Sequence, residues 1–421
     1  METNSLYIHI PFCVSKCTYC DFFSIPISKG QTSCFKNYVI ALKNEIDFRI
    51  KYFDIKFLST IYIGGGTPSL FSPSEIKDIL NFVKTKCKVD INAEITMEAN
   101  PQDISEDFLL KLKCSGVNRL SVGIQCYNDS VLKLLKRRCN LHQVDKALDL
   151  IKKHWVSEGF SFSCDLISGL PSLCDNDFLL GIKKIISYGV NHISLYSLML
   201  EEDTALYQQI SSNEILYSEE NNENQWILGK EFLEKNGFYQ YEVSNFAKPG
   251  SESRHNTVYW HIENYLGCGA GATGTVDYYR WNNLTDFEKY VDFWKNVNFN
   301  DLTENCEQFF YSSIPQEEEF LSVKDKEFDD YRDLIYHVSN LESGNYIINY
   351  IINYKEESTV LNQEVTIKEL EKIETPENNN NTESSEPENN NNDSSSNENN
   401  NSKEENNENI NDQITNDNAQ E

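Results

Sequence analysis

The strongest constraint on the fold of this chain is an alternation. Six short runs, at residues 6–10, 59–63, 94–98, 119–125, 160–167 and 192–198, are β-branched or aromatic, and each runs into a polar or glycine turn, as buried strands do. Helical patterns lie between them. Ser72-Pro73-Ser74-Glu75 is a capping box with proline at the first helical position, and Ile76, Ile79, Leu80 and Val83 then fall on one face. Ser105 caps a second stripe of Phe108, Leu109 and Leu112 that stops at Gly116. Leu141, Val144, Leu148 and Ile151 mark a third, and a fourth helix is expected over 177–188, before Gly189. Repeated strand and helix units give parallel strands with right-handed crossovers, and about 200 residues suffice for six such units but not for eight. The expected fold is α/β, a partial (β/α)6 barrel of the TIM type.

In such folds chemistry gathers at the carboxyl ends of the strands, and the unusual residues of this chain fall there. Of twelve cysteines, only Cys13, Cys17 and Cys20 cluster, directly after the first strand. Three thiolates are one short of a closed zinc site, whereas a 4Fe-4S cluster held by three cysteines keeps one iron free for a substrate or cofactor. From the residues alone, zinc and buried unligated cysteines stay open as alternatives. Gly64-Gly65-Gly66-Thr67-Pro68 follows the second strand, where missing side chains let a charged ligand approach the main chain, or simply allow a tight turn. Glu98 ends the third strand, Gln125 the fourth, and Asp165 lies near the end of the fifth. A carboxylate, an amide and the guanidinium of Arg137 around one rim can hold ribose hydroxyls and an amino-acid group. Singly, each has a plain structural reading as a strand-end polar residue or ion pair.

The formal net charge is −29. From 374 to 421, thirteen Asp or Glu against Lys403 give −12, leaving −17 for the body, a sign that argues against nucleic acid as a partner. This Asn-, Glu- and Ser-rich tail cannot bury enough apolar surface to fold and is expected to be disordered. No charged-then-apolar leader precedes Tyr7 and no apolar run approaches the roughly 18 residues of a membrane span, so a cytoplasmic, reducing location is expected.

Ordered motifs carry a resemblance. Tyr7-Ile-His-Ile-Pro-Phe-Cys13, Tyr62-Ile-Gly-Gly-Gly-Thr-Pro-Ser69, Glu98-Ala-Asn-Pro101, Arg119-Leu-Ser-Val-Gly-Ile-Gln125, Asp165-Leu-Ile-Ser-Gly-Leu-Pro171, Tyr241-Glu-Val-Ser-Asn-Phe-Ala-Lys-Pro-Gly250 and Arg254-His-Asn-Thr-Val-Tyr-Trp260 look like successive motifs of the oxygen-independent coproporphyrinogen III oxidase-like family of radical S-adenosylmethionine (SAM) proteins. Within it the chain is most similar to the haem chaperone branch. The resemblance implies a 4Fe-4S cluster on Cys13, Cys17 and Cys20. It places Tyr7, Tyr19, Gly65, Gly66, Thr67, Glu98, Gln125, Arg137 and Asp165 at SAM, with Met199 and Thr273 in looser motifs. A histidine stands in most relatives where this chain has Thr273. In the true oxidases a fourth cysteine follows the third after one residue; here that place is Phe22, which favours the chaperone branch.

The resemblance also implies haem as a third ligand, at His255, Tyr259 and Trp260 of the HNxxYW segment. An imidazole can ligate iron and aromatic rings can pack on a porphyrin face, although a histidine among aromatics is also an ordinary structural residue. Haem-accepting proteins are the implied partners, with a transient membrane-enzyme client and a homodimer as further expectations. Anaerobic coproporphyrinogen III oxidation is the runner-up function, and a haem-storing module with a structural cluster is a third. The expected organisation is a core with its HNxxYW extension over 1–283, a divergent region over 284–373 and the tail over 374–421. Residues 346–354, Tyr-Ile-Ile-Asn-Tyr-Ile-Ile-Asn-Tyr, are strongly β-prone, as an edge strand, a self-association site or one element of an appended domain.

Overall fold

The computed structural model describes residues 4–27, 33–277 and 279–296, together with four strands between 319 and 367. The expected disordered tail lies outside the described residues.

The six expected strands form. They are β1 (Asn4–Ile10), β4 (Phe57–Gly65), β5 (Lys88–Ala99), β6 (Arg119–Gln125), β7 (Ser161–Ser168) and β8 (His192–Ser197), with two short strands, β2 (Phe12–Cys13) and β3 (Ile25–Pro26), paired across the cysteine loop. The six lie parallel in the order β1-β4-β5-β6-β7-β8. Five further strands extend the sheet beyond this set. β9 (Tyr239–Gln240) and β10 (Asn245–Ala247) add antiparallel pairs beside β8. On the other side β11 (Tyr265–Cys268) pairs parallel with β1, and β12 (Thr273–Val276) and β13 (Tyr279–Asn282) continue antiparallel. The result is an open sheet of eleven strands with β13 and β9 at its ends.

The two-residue period of a strand sorts its side chains. Leu6, Ile8 and Ile10 of β1, Ile61 and Ile63 of β4, and Leu120, Val122 and Ile124 of β6 are buried in the hydrophobic core. The alternate residues, including Ser5, Tyr7, His9, Thr60, Tyr62, Glu94, Thr96, Glu98, Arg119, Ser121 and Asp165, make the opposite face polar. That polar face positions the site.

The crossover helices cover the apolar face. α2 (Pro73–Lys86) has the expected capping box and buries Ile76, Ile79, Leu80 and Val83. α3 (Glu106–Lys113) is capped by the Ser105 hydroxyl, which accepts from the Phe108 N–H at 3.1 Å. α5 (Leu141–His154) and α6 (Asp175–Ile186) follow the expected stripes, with α4 (Asp129–Leu134) between α3 and α5. Two long helices go beyond the sequence pattern: α1 (Ser33–Tyr52), between β1 and β4, and α8 (Glu219–Lys235), after β8 and the short α7 (Ala205–Ser211).

α9 (Arg254–Trp260) carries the HNxxYW segment, and α10 (Phe287–Asn296) lies on α1. Tyr290 of α10 donates to the buried Glu45 of α1 at 2.6 Å, so the packed core continues past residue 283. A separate four-stranded antiparallel sheet comprises β14 (Glu319–Val323), β15 (Lys326–Phe328), β16 (Gly344–Tyr354) and β17 (Glu357–Ile367), in the order β15-β14-β16-β17. The β-prone run 346–354 is thus an interior strand of that sheet, paired on both sides, rather than an edge.

Candidate functional site

A cavity of about 440 Å³ opens at the carboxyl ends of the parallel strands. Its wall brings together Cys13, Cys17, Cys20, Tyr19, Gly65, Gly66, Thr67, Glu98, Gln125, Arg137, Asp165 and Met199, which are scattered over nearly 190 residues of sequence. Sequence spacing suggests a common rim. The fold builds it.

The three cysteines are half-buried and free. Cys13 Sγ lies 3.4 Å from Thr67 Oγ1, and Arg137 Nη1 donates to Cys17 Sγ at 3.5 Å, both contacts suited to a thiolate. Burial pushes the Cys20 thiol up to about 11 and raises that of Cys13, so ligation would release their protons. Among the described residues no trio of His, Cys, Asp or Glu converges on a point that would hold a single metal ion. A cluster needs no such convergence, because each thiolate binds a different iron.

The glycine turn is required by close approach. A Cβ on Gly64 would stand 2.9 Å from Glu98 Oε1, one on Gly65 2.7 Å from the His9 ring, and one on Gly66 2.7 Å from the Phe12 carbonyl and 3.0 Å from Cys13 Sγ. Gly65 has φ +114°, and its N–H donates to Glu98 Oε2 at 3.0 Å, while Tyr62 donates to Oε1 at 2.9 Å. Burial, then the nearby Asp165, pushes the Glu98 carboxyl up to about 7. Asp165 is raised by its own burial, against the hydrogen bonds it accepts from Ser121 at 3.0 and 3.3 Å. Two carboxyls thus share one cavity wall, an arrangement that favours a cationic ligand group between them and the solvent.

Between the strands that carry these two carboxyls, β6 ends in a strained amide with a guanidinium beside it. Gln125 has φ +73°, at the point where the β6/β7 register shifts. A non-glycine residue in that region costs on the order of 1–3 kcal/mol and is held there by its surroundings. Arg137 donates Nη2 to the Gly123 carbonyl and leaves a buried Nε without a protein partner. These groups fit a polar, partly anionic ligand end.

Five expected site residues lie elsewhere: Tyr7, Thr273, His255, Tyr259 and Trp260. Tyr7 is off the cavity, its hydroxyl on His9 Nδ1 at 2.9 Å and its ring stacked on Tyr62. Thr273 sits on the outer hairpin and donates to Asn282 Oδ1 at 2.6 Å. His255, expected as an iron ligand, is fully buried and both ring nitrogens are engaged. Since Thr60 donates its hydroxyl to Ser5, His255 Nδ1–H donates to Thr60 Oγ1 at 2.7 Å and Nε2 accepts from Tyr259 at 2.8 Å. Burial, then Arg119, lowers its pKa to about 3. The cause of this difference is plain: α9 turns the imidazole inward onto the Tyr62 ring, 5.2 Å away. Only Tyr259 and Trp260 of that trio present exposed surface.

Two contributors go unnoticed in the sequence. Tyr62 holds Glu98, and its signal is the two-residue period that puts it on the same face as Gly64. His9 donates Nε2–H to the Phe23 carbonyl at 3.0 Å, an acceptor-only partner that fixes Nδ1 as the acceptor for Tyr7. It thereby ties the end of the cysteine loop to β1. The glycine-rich turn before Thr273 serves the same loop: a Cβ on Gly271 would stand 2.6 Å from the Phe23 ring.

Comparison with known proteins points to one family. The model of the radical SAM superfamily matches residues 7–195. The chain is 33% identical to the haem chaperone HemW of Buchnera aphidicola subsp. Schizaphis graminum over 77% of this chain and 80% of that protein. It is 37% identical to HemW of Lactococcus lactis over 69% and 74%, and 36% identical to HemW of Escherichia coli over 65% and 70%. Among solved structures, coproporphyrinogen III oxidase (HemN) from Escherichia coli superposes with a TM-score of 0.60 at 23% identity, covering 72% of this chain and 70% of that one, which shows the shared fold.

Proposed function

The chain belongs to the HemW family of haem chaperones within the radical SAM superfamily, and on that premise we propose that it binds a 4Fe-4S cluster, SAM and haem, and hands haem to acceptor proteins. The observation that carries this reading is the single cavity wall shared by the three cysteines, the Gly65–Glu98 contact and Arg137. Cys13, Cys17 and Cys20 would hold the cluster, which when bound supplies an electron to the sulfonium of SAM. Arg137 donates to the sulfur of Cys17 and would orient it. Glu98 and Asp165 face the cationic groups of SAM, its ammonium and sulfonium, while Gly65, Gly66 and Thr67 let the ligand reach the main chain. Tyr19 and Gln125 complete the wall. Arg137 Nε offers a donor to the carboxylate of SAM.

Phe22 favours the chaperone over the oxidase reading, because an exposed phenyl ring neither ligates metal nor exchanges a proton. Among the described residues no helix is long and apolar enough to cross a membrane. The reading expects delivery to a client outside this chain, a membrane enzyme included, from a cytoplasmic location. Anaerobic reconstitution should give about four irons per chain, SAM binding and haem binding, with no conversion of coproporphyrinogen III. Appearance of protoporphyrinogen IX with reduced cluster and SAM would overturn the chaperone reading.

A further inference from the structure

Haem needs a seat, and the buried imidazole of His255 does not offer one. Both of its nitrogens are committed and its side chain has no exposed surface. The cavity is also too small to take everything: about 440 Å³ lies low in the ~300–1,000 Å³ range of small-molecule sites, room for one nucleoside-sized ligand. A porphyrin macrocycle beside that ligand does not fit inside it.

The mouth is apolar in an unusual way. Phe22 is 71% exposed and Met199 is 72% exposed, and both line this cavity. Isolated exposed apolar residues need no explanation, but these two share the rim of one cavity. The chain has only three methionines; Met97 is fully buried and Met1 lies outside the described residues. The one described methionine with an accessible thioether thus stands at the cavity mouth. A thioether is a soft donor to haem iron, and a flexible methionine suits a surface that must bind and then release.

Resting on the haem chaperone reading, we propose that haem docks across the mouth of the cluster cavity, its face against the Phe22 ring and its iron ligated by Met199 Sδ. Lys16, exposed on the same rim, supplies a cation for the propionates. Asp21 and Glu201 also line the rim, so the anionic edge of the macrocycle faces Lys16 and its apolar body crosses Phe22. Tyr196 also lines the cavity, but desolvation of its phenol, and then Asp165, raise it, which disfavours the phenolate that iron would need.

The test is a titration of the full-length, anaerobically purified protein with ferric haem, read by Soret and visible absorption, after cluster iron has been confirmed in each variant. The wild type should bind with the spectrum of thioether ligation. Met199→Leu, equal in size but without sulfur, should lose that spectrum and bind about tenfold more weakly. Met199→His should shift the spectrum to imidazole ligation, and Phe22→Ala should weaken binding about tenfold without changing the ligand bands. If the wild type binds haem and all three variants match it in affinity and spectrum, the seat is elsewhere and the inference falls while the chaperone reading stands. If the wild type binds no haem, that reading falls too.

Discussion

Replacing Glu98 with glutamine tests the chemistry of the cavity most directly, because stability and ligand binding should move in opposite directions. The Glu98 carboxyl is pushed from its ordinary 4.5 to about 7, first by burial and then by Asp165. Its folded value lies above its unfolded one, so nothing is lost below pH 4.5, and stability declines as pH rises from there through about 7. At 1.36 kcal/mol per pH unit the gap amounts to at most about 3 kcal/mol, less whatever water in the cavity screens. Glu98→Gln keeps a carbonyl acceptor for the Gly65 N–H and turns an NH2 to the Tyr62 hydroxyl, which can accept as well as donate, but carries no charge. In ligand-free protein at pH 8 it should therefore raise Tm by up to about 5 °C, an advantage that vanishes near pH 4.5. SAM affinity should fall on the order of 10- to 100-fold in the variant, because the cationic ligand loses its buried counter-ion. In the wild type that affinity should rise about tenfold per pH unit up to about 7 and then level, as a single deprotonation requires. Differential scanning fluorimetry and anaerobic calorimetry measure the two arms. A wild-type SAM affinity that is flat from pH 6 to 8, with the variant binding equally well, would refute the placement of a ligand cation beside Glu98.

Cys17→Ala should abolish cluster iron, and full iron content by colorimetric assay would exclude Cys17 as a ligand. His9→Ala should loosen the cysteine loop by removing the donor to the Phe23 carbonyl, lowering cluster retention, whereas His9→Gln, whose amide reaches the same distance, should restore it; equal retention in both variants would deny His9 a positioning role. Because His255 is buried neutral with its pKa lowered to about 3, its contribution is constant above pH 6.5 and stability is lost below that, by up to about 1.4 kcal/mol per pH unit. His255→Gln should flatten this acid limb in urea midpoints taken from pH 6.5 to 4.5, and an unchanged slope would contradict the buried assignment. Glu45 accepts from Arg49, Asn283, Gly269 and Tyr290 with no exposed surface, so Glu45→Ala should cost about 3 kcal/mol or more by removing the acceptor of the Gly269 N–H, the Asn283 amide and the Tyr290 hydroxyl, and a urea midpoint near wild type would disprove that.

The parts of the fold legible in sequence are those whose pattern is local. α2 announces itself through a capping box and a four-residue apolar stripe, and the structure buries those four residues. α1 and α8 are illegible for two different reasons. α1 is covered by the sheet on one side and by α10 on another, so Tyr38, Leu42, Ile46, Arg49 and Ile50 are all buried and no single stripe stands out. α8 buries Asn222 and Gln225, which bond to Ser168, Gly169 and Leu173 at the end of β7 and beyond it; polar residues there disguise a core-facing row as a surface one. The site follows the same rule. Residues in contiguous motifs at strand ends reach the cavity, whereas His255 sits in a motif whose orientation depends on Glu94, which accepts from the N–H groups of Arg254 and His255 at 3.1 and 2.9 Å from 160 residues away in the chain. Spacing cannot report that contact.

The polar lining of this open barrel explains why ligands and stability are linked here. A closed barrel fills its interior with branched apolar side chains; this one carries Glu94, Glu98, Arg119, Asp165 and His192 on the inner face of adjoining strands, with His255 of α9 packed onto Thr60 and Tyr62. Two of the inner-face groups, Arg119 through Nη2 and His192 through Nδ1, keep a buried atom with no protein partner, as does Thr96 Oγ1 on the same face. Such atoms cost free energy unless water or a ligand meets them. The carboxyls at the upper end, Glu98 and Asp165, are raised by the same desolvation. A cation entering the cavity would relieve both, so on the proposed reading part of the binding free energy of SAM would be the removal of the desolvation cost that these carboxyls carry. That cost is borne by a frame that does not itself touch the ligand: Glu45 fixes Gly269, Tyr38 bonds the His9 carbonyl, and His9 bonds Phe23, a continuous line from the outer helix to the cysteine loop. Precision at the cluster loop is therefore set from the convex, helical side of the sheet, while affinity is set from its concave polar side.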